Sequence, residues 1–336
     1  MKSLSAMTTA AVLLWTAAAT AQVPVETYQA PKAIETKPAS YPPNEIDKGE
    51  EGWVIVNMMI DREGKTYEAT VVDSTGNRAF ERAALAAVEK WSFEPARMNG
   101  TPIEAGRTFK LKFRLTDAEK GARPEFSRSY RQLLKAIEAG DRERADSRLA
   151  LMRPHNLYED GYYGVALYTY HRRWGTTAQQ LSALRRAIAD ETEPNYLPKE
   201  LFVSALQAQL SIEISTRDYA RALETWATLR RNADAATLSR WEKSIGEIEA
   251  LRTSDTAYAV TGEIATGTSW YYQLLKDRFQ IDVTSGRLAE VKLRCNRQYV
   301  SFPFDPQLQY KISGNDRGCW MEVVGDPGTQ FQLTQL

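Results

Sequence analysis

Between Thr108 and Leu115, the apolar residues Phe109, Leu111, Phe113 and Leu115 alternate with Thr108, Lys110, Lys112 and Arg114. With Arg107 at its start, this period of two predicts a half-buried strand with one wet, basic face. The chemistry such a strand offers is recognition. A bare strand edge presents N–H and C=O groups with which another extended chain can pair, and the side chains beside it select the partner. The same lysines would also keep a bare edge from aggregating, so the residues alone leave both roles open.

Bond-making chemistry has little support. His155 and His171 are the two histidines, and neither has a partner at the spacing of an H-E-x-x-H metal site. No Gly-x-Ser-x-Gly, phosphate-binding loop or dinucleotide fingerprint occurs. No catalytic residue, metal ligand or cofactor is expected, and the chain reads as non-enzymatic. Glu50, Glu51 and the acidic residues of the helices read as solvated charge. Tyr158, Tyr162, Tyr163, Tyr168 and Tyr170, like Trp270-Tyr271-Tyr272, could line a sugar- or peptide-binding groove but are expected to pack the core. Cys295 and Cys319 are the only cysteines and form no Cys-x-x-Cys. In an exported protein they are expected to pair, closing a loop of about 25 residues worth roughly 3 kcal/mol in the chain-entropy model.

The elements that must position the basic strand lie just before it. Gly52 to Asp61 places Val54, Val56, Met58 and Ile60 on one face of a strand; Arg62-Glu63-Gly64-Lys65 turns, and Thr66 to Asp73 runs back as a hairpin. After Ser74-Thr75-Gly76, Phe80, Ala84, Val88 and Trp91 recur at helical spacing until Pro95. A three-stranded sheet with one helix on its back leaves two edges.

These residues resemble the C-terminal domain of the TonB family. The resemblance rests on Tyr41-Pro42, the Gly49/Gly52 turn, Ile60-Asp61-x-x-Gly64, Ser74-x-Gly76 and Phe80-x-x-Ala83-Ala84-Leu85-x-Ala87-Val88-x-x-Trp91. It continues with Phe93-x-Pro95-Ala96, Gly100-x-Pro102-Ile103 and the closing basic-apolar strand. It implies a ββαβ domain whose closing strand captures a short extended segment of an outer-membrane transporter. Carried over by position, the partner-binding edge is Arg107, Thr108, Phe109, Lys110, Leu111, Lys112, Phe113, Arg114 and Leu115. The chain departs from the family's energy transducers in having no histidine before His155, a short spacer, and a long continuation after residue 116. These departures speak against coupling to the proton motive force.

The ends and the composition set the rest. Lys2 precedes an apolar run from Ala6 to Ala21, with Ala19-Thr20-Ala21 before Gln22. That pattern predicts a signal peptide over 1–21 cleaved between Ala21 and Gln22, since a membrane span needs about 20 apolar residues. The expected location is the periplasm, with an uncleaved inner-membrane anchor facing the periplasm as the alternative. Lys plus Arg and Asp plus Glu are both 43, so the overall charge favours no nucleic acid. Residues 22–40 read as a flexible leader, 41–116 as the TonB-like domain, 126–252 as stacked helical hairpins and 256–336 as an all-β module. The expected fold class is therefore multi-domain α+β, with a tetratricopeptide-like helical array and a C-terminal sandwich or barrel. The function expected is that of an exported protein-interaction protein that captures an extended peptide segment by strand addition, linked to TonB-dependent transport. The rivals are a true energy transducer with an uncleaved anchor and an envelope enzyme using the C-terminal module. No membrane span is expected in the mature chain, and a strand-exchanged homodimer is left open.

Overall fold

The computed structural model describes residues 28–115, 121–189, 196–265, 267–312 and 318–336. The expected signal peptide 1–21, with its Ala21–Gln22 cleavage site, lies outside the described residues. Among the described residues no helix is long and apolar enough to cross a membrane.

The first domain opens with two short strands, β1 (Tyr28–Gln29) and β2 (Lys32–Glu35), and a helical turn α1 (Pro43–Asp47). Its hairpin is β3 (Gly52–Ile60) and β4 (Thr66–Ser74), followed by helix α2 (Arg78–Val88). Then come β5 (Ser92–Glu94), β6 (Ala96–Met98), β7 (Thr101–Ile103) and the closing strand β8 (Ala105–Phe113). The main sheet is antiparallel in the order β4-β3-β8. The hairpin turn needs glycine at Gly64: its φ is +83°, and a Cβ there would lie 1.8 Å from the Phe93 carbonyl oxygen. Asp61 closes the same turn by accepting the amides of Glu63 and Lys65 at 3.0 and 2.8 Å. Asn77 caps α2, which buries Phe80, Ala84 and Val88 against Val54, Val56, Met58 and Ile60.

The flexible leader expected over 22–40 is corrected for its second half. Residues of β1 pair with β6 and those of β2 with β5, and the Trp91 indole donates to the Lys37 carbonyl at 2.8 Å. The β2 side chains are all exposed, so the segment is held by backbone pairing, which leaves no apolar period to read.

The helical region runs as α3 (Pro124–Ala139), α4 (Arg142–Leu151), α5 (Leu157–Trp174), α6 (Thr177–Ala187), α7 (Lys199–Ser215), α8 (Tyr219–Asn232), α9 (Ala235–Ser239) and α10 (Glu242–Thr253). Neighbours in sequence pack on each other: α3 on α4, α5 on α6, α6 on α7 and α7 on α8. The breaks carry their own stop and start signals. Gly140 ends α3 in the left-handed region, Asn156 caps α5, and Thr176 with Gln179 forms a capping box on α6.

The C-terminal strands are β9 (Tyr258–Glu263), β10 (Ser269–Gln273), β11 (Arg278–Ser285), β12 (Leu288–Arg294), β13 (Tyr299–Pro303), β14 (Tyr310–Lys311), β15 (Trp320–Gly325) and β16 (Gln330–Gln335). They form two four-stranded antiparallel sheets, β10-β15-β12-β13 and β14-β11-β16-β9. The Cys295–Cys319 disulfide forms as expected, joining the end of β12 to the start of β15, with both cysteines buried.

The boundary expected between 252 and 256 does not separate two cores. One buried cluster runs from Leu184, Trp226 and Ile248 in the helices to Phe279, Val291 and Phe331 in the strands. Helices from α6 onward and the C-terminal sheets are therefore a single packed unit, while α3 to α5 have a smaller cluster around Leu133, Ala145 and Ala166. The Tyr272 hydroxyl donates to the Arg217 carbonyl at 2.7 Å across the junction, and the rings of Tyr219 and Tyr258 meet at 5.2 Å.

Trp226 is 8% exposed within that shared cluster. Its replacement by alanine is expected to destabilise the protein by about 3–5 kcal/mol, measured by denaturant unfolding. A loss below about 0.5 kcal/mol would place the side chain at the surface instead.

Candidate functional site

Strand β8 owes its place to alternation. Phe109, Leu111 and Phe113 turn toward α2; Phe113 stacks on Phe80 at 4.4 Å, and Phe109 meets Trp91 edge-on at 5.1 Å. Each β8 residue from Ala105 to Phe113 pairs with β3 in an unshifted register, and β3 is β8's neighbour in the sheet order. The Gly106 amide donates away from β3, to the Cys295 carbonyl at 3.0 Å. In an unbulged antiparallel strand backbone amides alternate sides, so those of Thr108, Lys110 and Lys112 share that outward direction.

The expected site strand, Arg107 to Leu115, is two residues too long at its C-terminal end. Arg114 and Leu115 lie beyond β8 because side chains hold them elsewhere. The Arg114 guanidinium bonds the Tyr196 hydroxyl, and the Leu115 amide donates to the Glu51 carboxylate at 2.9 Å. Glu51 also accepts the Leu157 amide at 3.2 Å, so it is a structural tie rather than solvated charge.

The expected wet basic face is only partly wet. Thr108 and Lys112 are exposed and Arg107 is half-buried, but Lys110 is drawn in, with its ammonium 4.9 Å above the Trp53 ring. The same indole donates to the buried Asp160 carboxylate at 3.1 Å, and Arg186 Nε donates to Asp160 at 2.7 Å. Arg186 then bonds the Thr75 carbonyl at 3.2 Å and lies over the Tyr163 ring. Burial raises the Asp160 carboxyl above the ordinary aspartate range, opposed by Arg186, the Trp53 N–H and Lys110. The second face of the sheet is thus met by the helices at Trp53 and Lys110. Sequence reading missed this group because Asp160 looks like an ordinary first-turn helix carboxylate. The available signal was a tryptophan on the strand face opposite Val54 and Val56.

A cleft of about 600 Å³ lies beside the start of β8, bounded by Gly106, Arg107 and Thr108, by Leu223 and Glu224 of α8, and by Arg294 to Asn296. The Asn57 side chain, in the same cleft, donates to the Thr108 hydroxyl at 2.9 Å. The tyrosines expected in the core mostly pack: Tyr158 and Tyr162 form a ring contact, and Tyr170 is buried. Tyr271 departs from that expectation, because β10 alternates and turns it outward to 51% exposure while Tyr272 is buried. His155 sits in the turn before α5, and His171 in its last turn, where burial holds the imidazole below its usual range.

Residues 37–115 match the sequence family described as Gram-negative bacterial TonB protein C-terminal. Protein TonB of Xanthomonas campestris pv. campestris is 37% identical over 70 residues, covering 21% of this chain and 31% of that protein. Protein TonB of Vibrio cholerae is 28% identical over 75 residues, covering 22% of this chain and 31% of that protein. The chain thus spans about a third of the length of these curated relatives. The solution structure of the Pseudomonas aeruginosa TonB C-terminal domain aligns with 30% identity over 26% of this chain and 90% of that one, at a TM-score of 0.25. The first domain is a TonB C-terminal domain, and the family match ends at residue 115.

Behind the cleft, Glu213 of α7 is fully buried and accepts from Gln209 at 2.9 Å and Thr225 at 2.7 Å. Burial pushes its carboxyl up to about 7. A raised carboxylate pKa means the folded state holds a proton that the unfolded chain releases. The contribution of Glu213 to stability is therefore greatest below about 4.5 and falls as pH rises toward about 7. Glu213→Gln is expected to remove that fall, so the variant gains on the parent by up to roughly 3 kcal/mol between acidic and neutral pH. Denaturant unfolding at both ends of the window checks it; parallel curves for the two proteins would contradict it.

Proposed function

We propose that this is an interaction protein of the periplasm whose TonB C-terminal domain captures an extended segment of a partner by strand addition along the outer side of β8. The observation that carries the reading is the position of β8 as the outer strand of the β4-β3-β8 sheet, with a cleft of about 600 Å³ beside its start. Gly106 already donates outward to a backbone carbonyl of this same chain, so that side of the strand accepts backbone pairing. The incoming segment would align with Thr108 to Lys112, because Cys295 occupies the position opposite Gly106. Each new backbone hydrogen bond contributes about 0.5–1.5 kcal/mol, and Lys112 and Arg107 add charge selection at the rim.

The family match supports an envelope-transport setting, and an outer-membrane TonB-dependent transporter is the partner class proposed. Binding, not catalysis, is the proposed activity. The helices from α3 to α10, read as tetratricopeptide-type hairpins, hold the domain and the strands in one body.

The test is proline at an outward amide. Lys112→Pro removes one outward donor and adds a ring in the partner's path, without taking an amide from the β3 ladder. Its affinity for an extended transporter-derived peptide should fall about tenfold or more while circular dichroism and melting stay those of the parent. Lys112→Glu should mainly slow association and change its salt dependence. A folded Lys112→Pro protein that binds as tightly as the parent would exclude this edge as the docking site.

A further inference from the structure

Three guanidinium groups from distant parts of the chain converge on one small pocket. Arg185 comes from α6, Arg221 from α8 and Arg294 from the end of β12; together with Thr70 to Val72 of β4, Tyr271 and Trp320, they line a cavity of about 210 Å³. Among the described residues, no carboxylate lines it. That volume is about seven times the share of one water molecule in the liquid, room for a compact ligand.

The three cations are not equally engaged. Arg294 is 7% exposed and held by Glu322 at 2.7 Å and Glu68 at 3.4 Å. The guanidiniums of Arg185 and Arg221 donate no hydrogen bond among the described residues. Their carboxylate neighbours stand off: Arg185 is 3.6 Å from Asp218 and 3.9 Å from Glu213, and Arg221 is 3.8 Å from the same Asp218. The Arg221 guanidinium carbon lies over the Trp320 ring, 4.4 Å from its centre. Both side chains are about a quarter exposed, at 27% and 21%, so their donors are reachable but poorly hydrated.

The field around them is unbalanced. Burial and the neighbouring Arg185 push the Arg221 guanidinium down to about 10, a sign that the two cations repel each other in a poorly solvated place. Burial also raises the carboxyls of Asp218 and Asp73, and it lifts that of Glu213 to about 7, which weakens the neutralising effect of Glu213 near neutral pH. Paired planar guanidinium donors are the arrangement that binds carboxylate or phosphate oxygens in a bidentate fashion.

We propose that the pocket formed by Arg185, Arg221, Arg294, Tyr271 and Trp320 is a binding site for a small oxyanion bearing carboxylate or phosphate groups. The ligand's oxygens take the donors of Arg185 and Arg221, and Arg294, locked by Glu322, supplies charge from the floor. Tyr271, half exposed and donating to Glu322 at 3.1 Å, stands at the mouth. Since β4 forms one wall, the occupied pocket also ties the TonB domain to the C-terminal sheets. The site does not depend on the reading of β8.

Isothermal titration calorimetry of the full chain with sodium succinate in one arm and sodium pyrophosphate in the other tests this. Saturable binding in the succinate arm assigns the site to carboxylates, and in the pyrophosphate arm to phosphates. Arg185→Gln and Arg221→Gln are each expected to weaken that binding about tenfold or more, while Arg278→Gln, on an exposed arginine, leaves it unchanged. Arg221→Lys keeps the charge but loses the fork, and serves where the glutamine variant does not fold; it too should bind more weakly. Absence of saturable binding in both arms overturns the proposal, as does parental affinity in Arg185→Gln with an unchanged melting temperature.

Discussion

The buried contact of Trp53 with Asp160 and Arg186 is the constraint on which the rest of the arrangement depends. A carboxylate 4% exposed is tolerable only where donors surround it. Here they come from two parts of the molecule: the indole from the central strand of the TonB domain and the guanidinium from α6. Neither half of the protein can satisfy Asp160 alone. The charge therefore acts as a registration point that fixes which sheet face meets which helices.

From that point the remaining contacts follow. With Trp53 committed, Lys110 is drawn over its ring, and Glu51 can hold the amides of both Leu115 and Leu157. On the other side Gly106 pairs with Cys295, whose position the disulfide to Cys319 fixes. The face of the sheet that its own helix α2 leaves uncovered is thus met by the chain's later residues, and the proposed strand addition falls on the outer side of β8. A glycine is required at 106, where a Cβ would lie 2.6 Å from the Cys295 oxygen.

Much of the first domain was legible because its signals are local. Alternation in Val54 to Ile60, the Asp61–Gly64 turn and the helical spacing of Phe80, Ala84 and Val88 each report one element without reference to any other. The helix breaks were legible for the same reason, through Gly140, Asn156 and Thr176. What the sequence did not display is how the domains meet. Polar residues such as Asp160 and Arg294 look solvated in sequence, and only tertiary structure supplies the partners that let them be buried. The strands at Tyr28 to Glu35 were missed because edge pairing through the backbone leaves side chains exposed. The shared core from Leu184 to Phe331 was hidden because a helix and a sheet each show only that they have an apolar face, not against what it lies.

The most direct test of this account is hydrogen–deuterium exchange on Asp160→Ala compared with the parent. If the buried carboxylate is what seats the TonB domain on the helices, backbone protection should fall around Trp53, in Lys110 to Leu115 and across the start of α5. The amides of α2 and of Val54 to Ile60 that face the domain's own core should keep theirs. An exchange pattern indistinguishable from the parent in those three segments would show that the two parts hold together without Asp160, and would contradict the account.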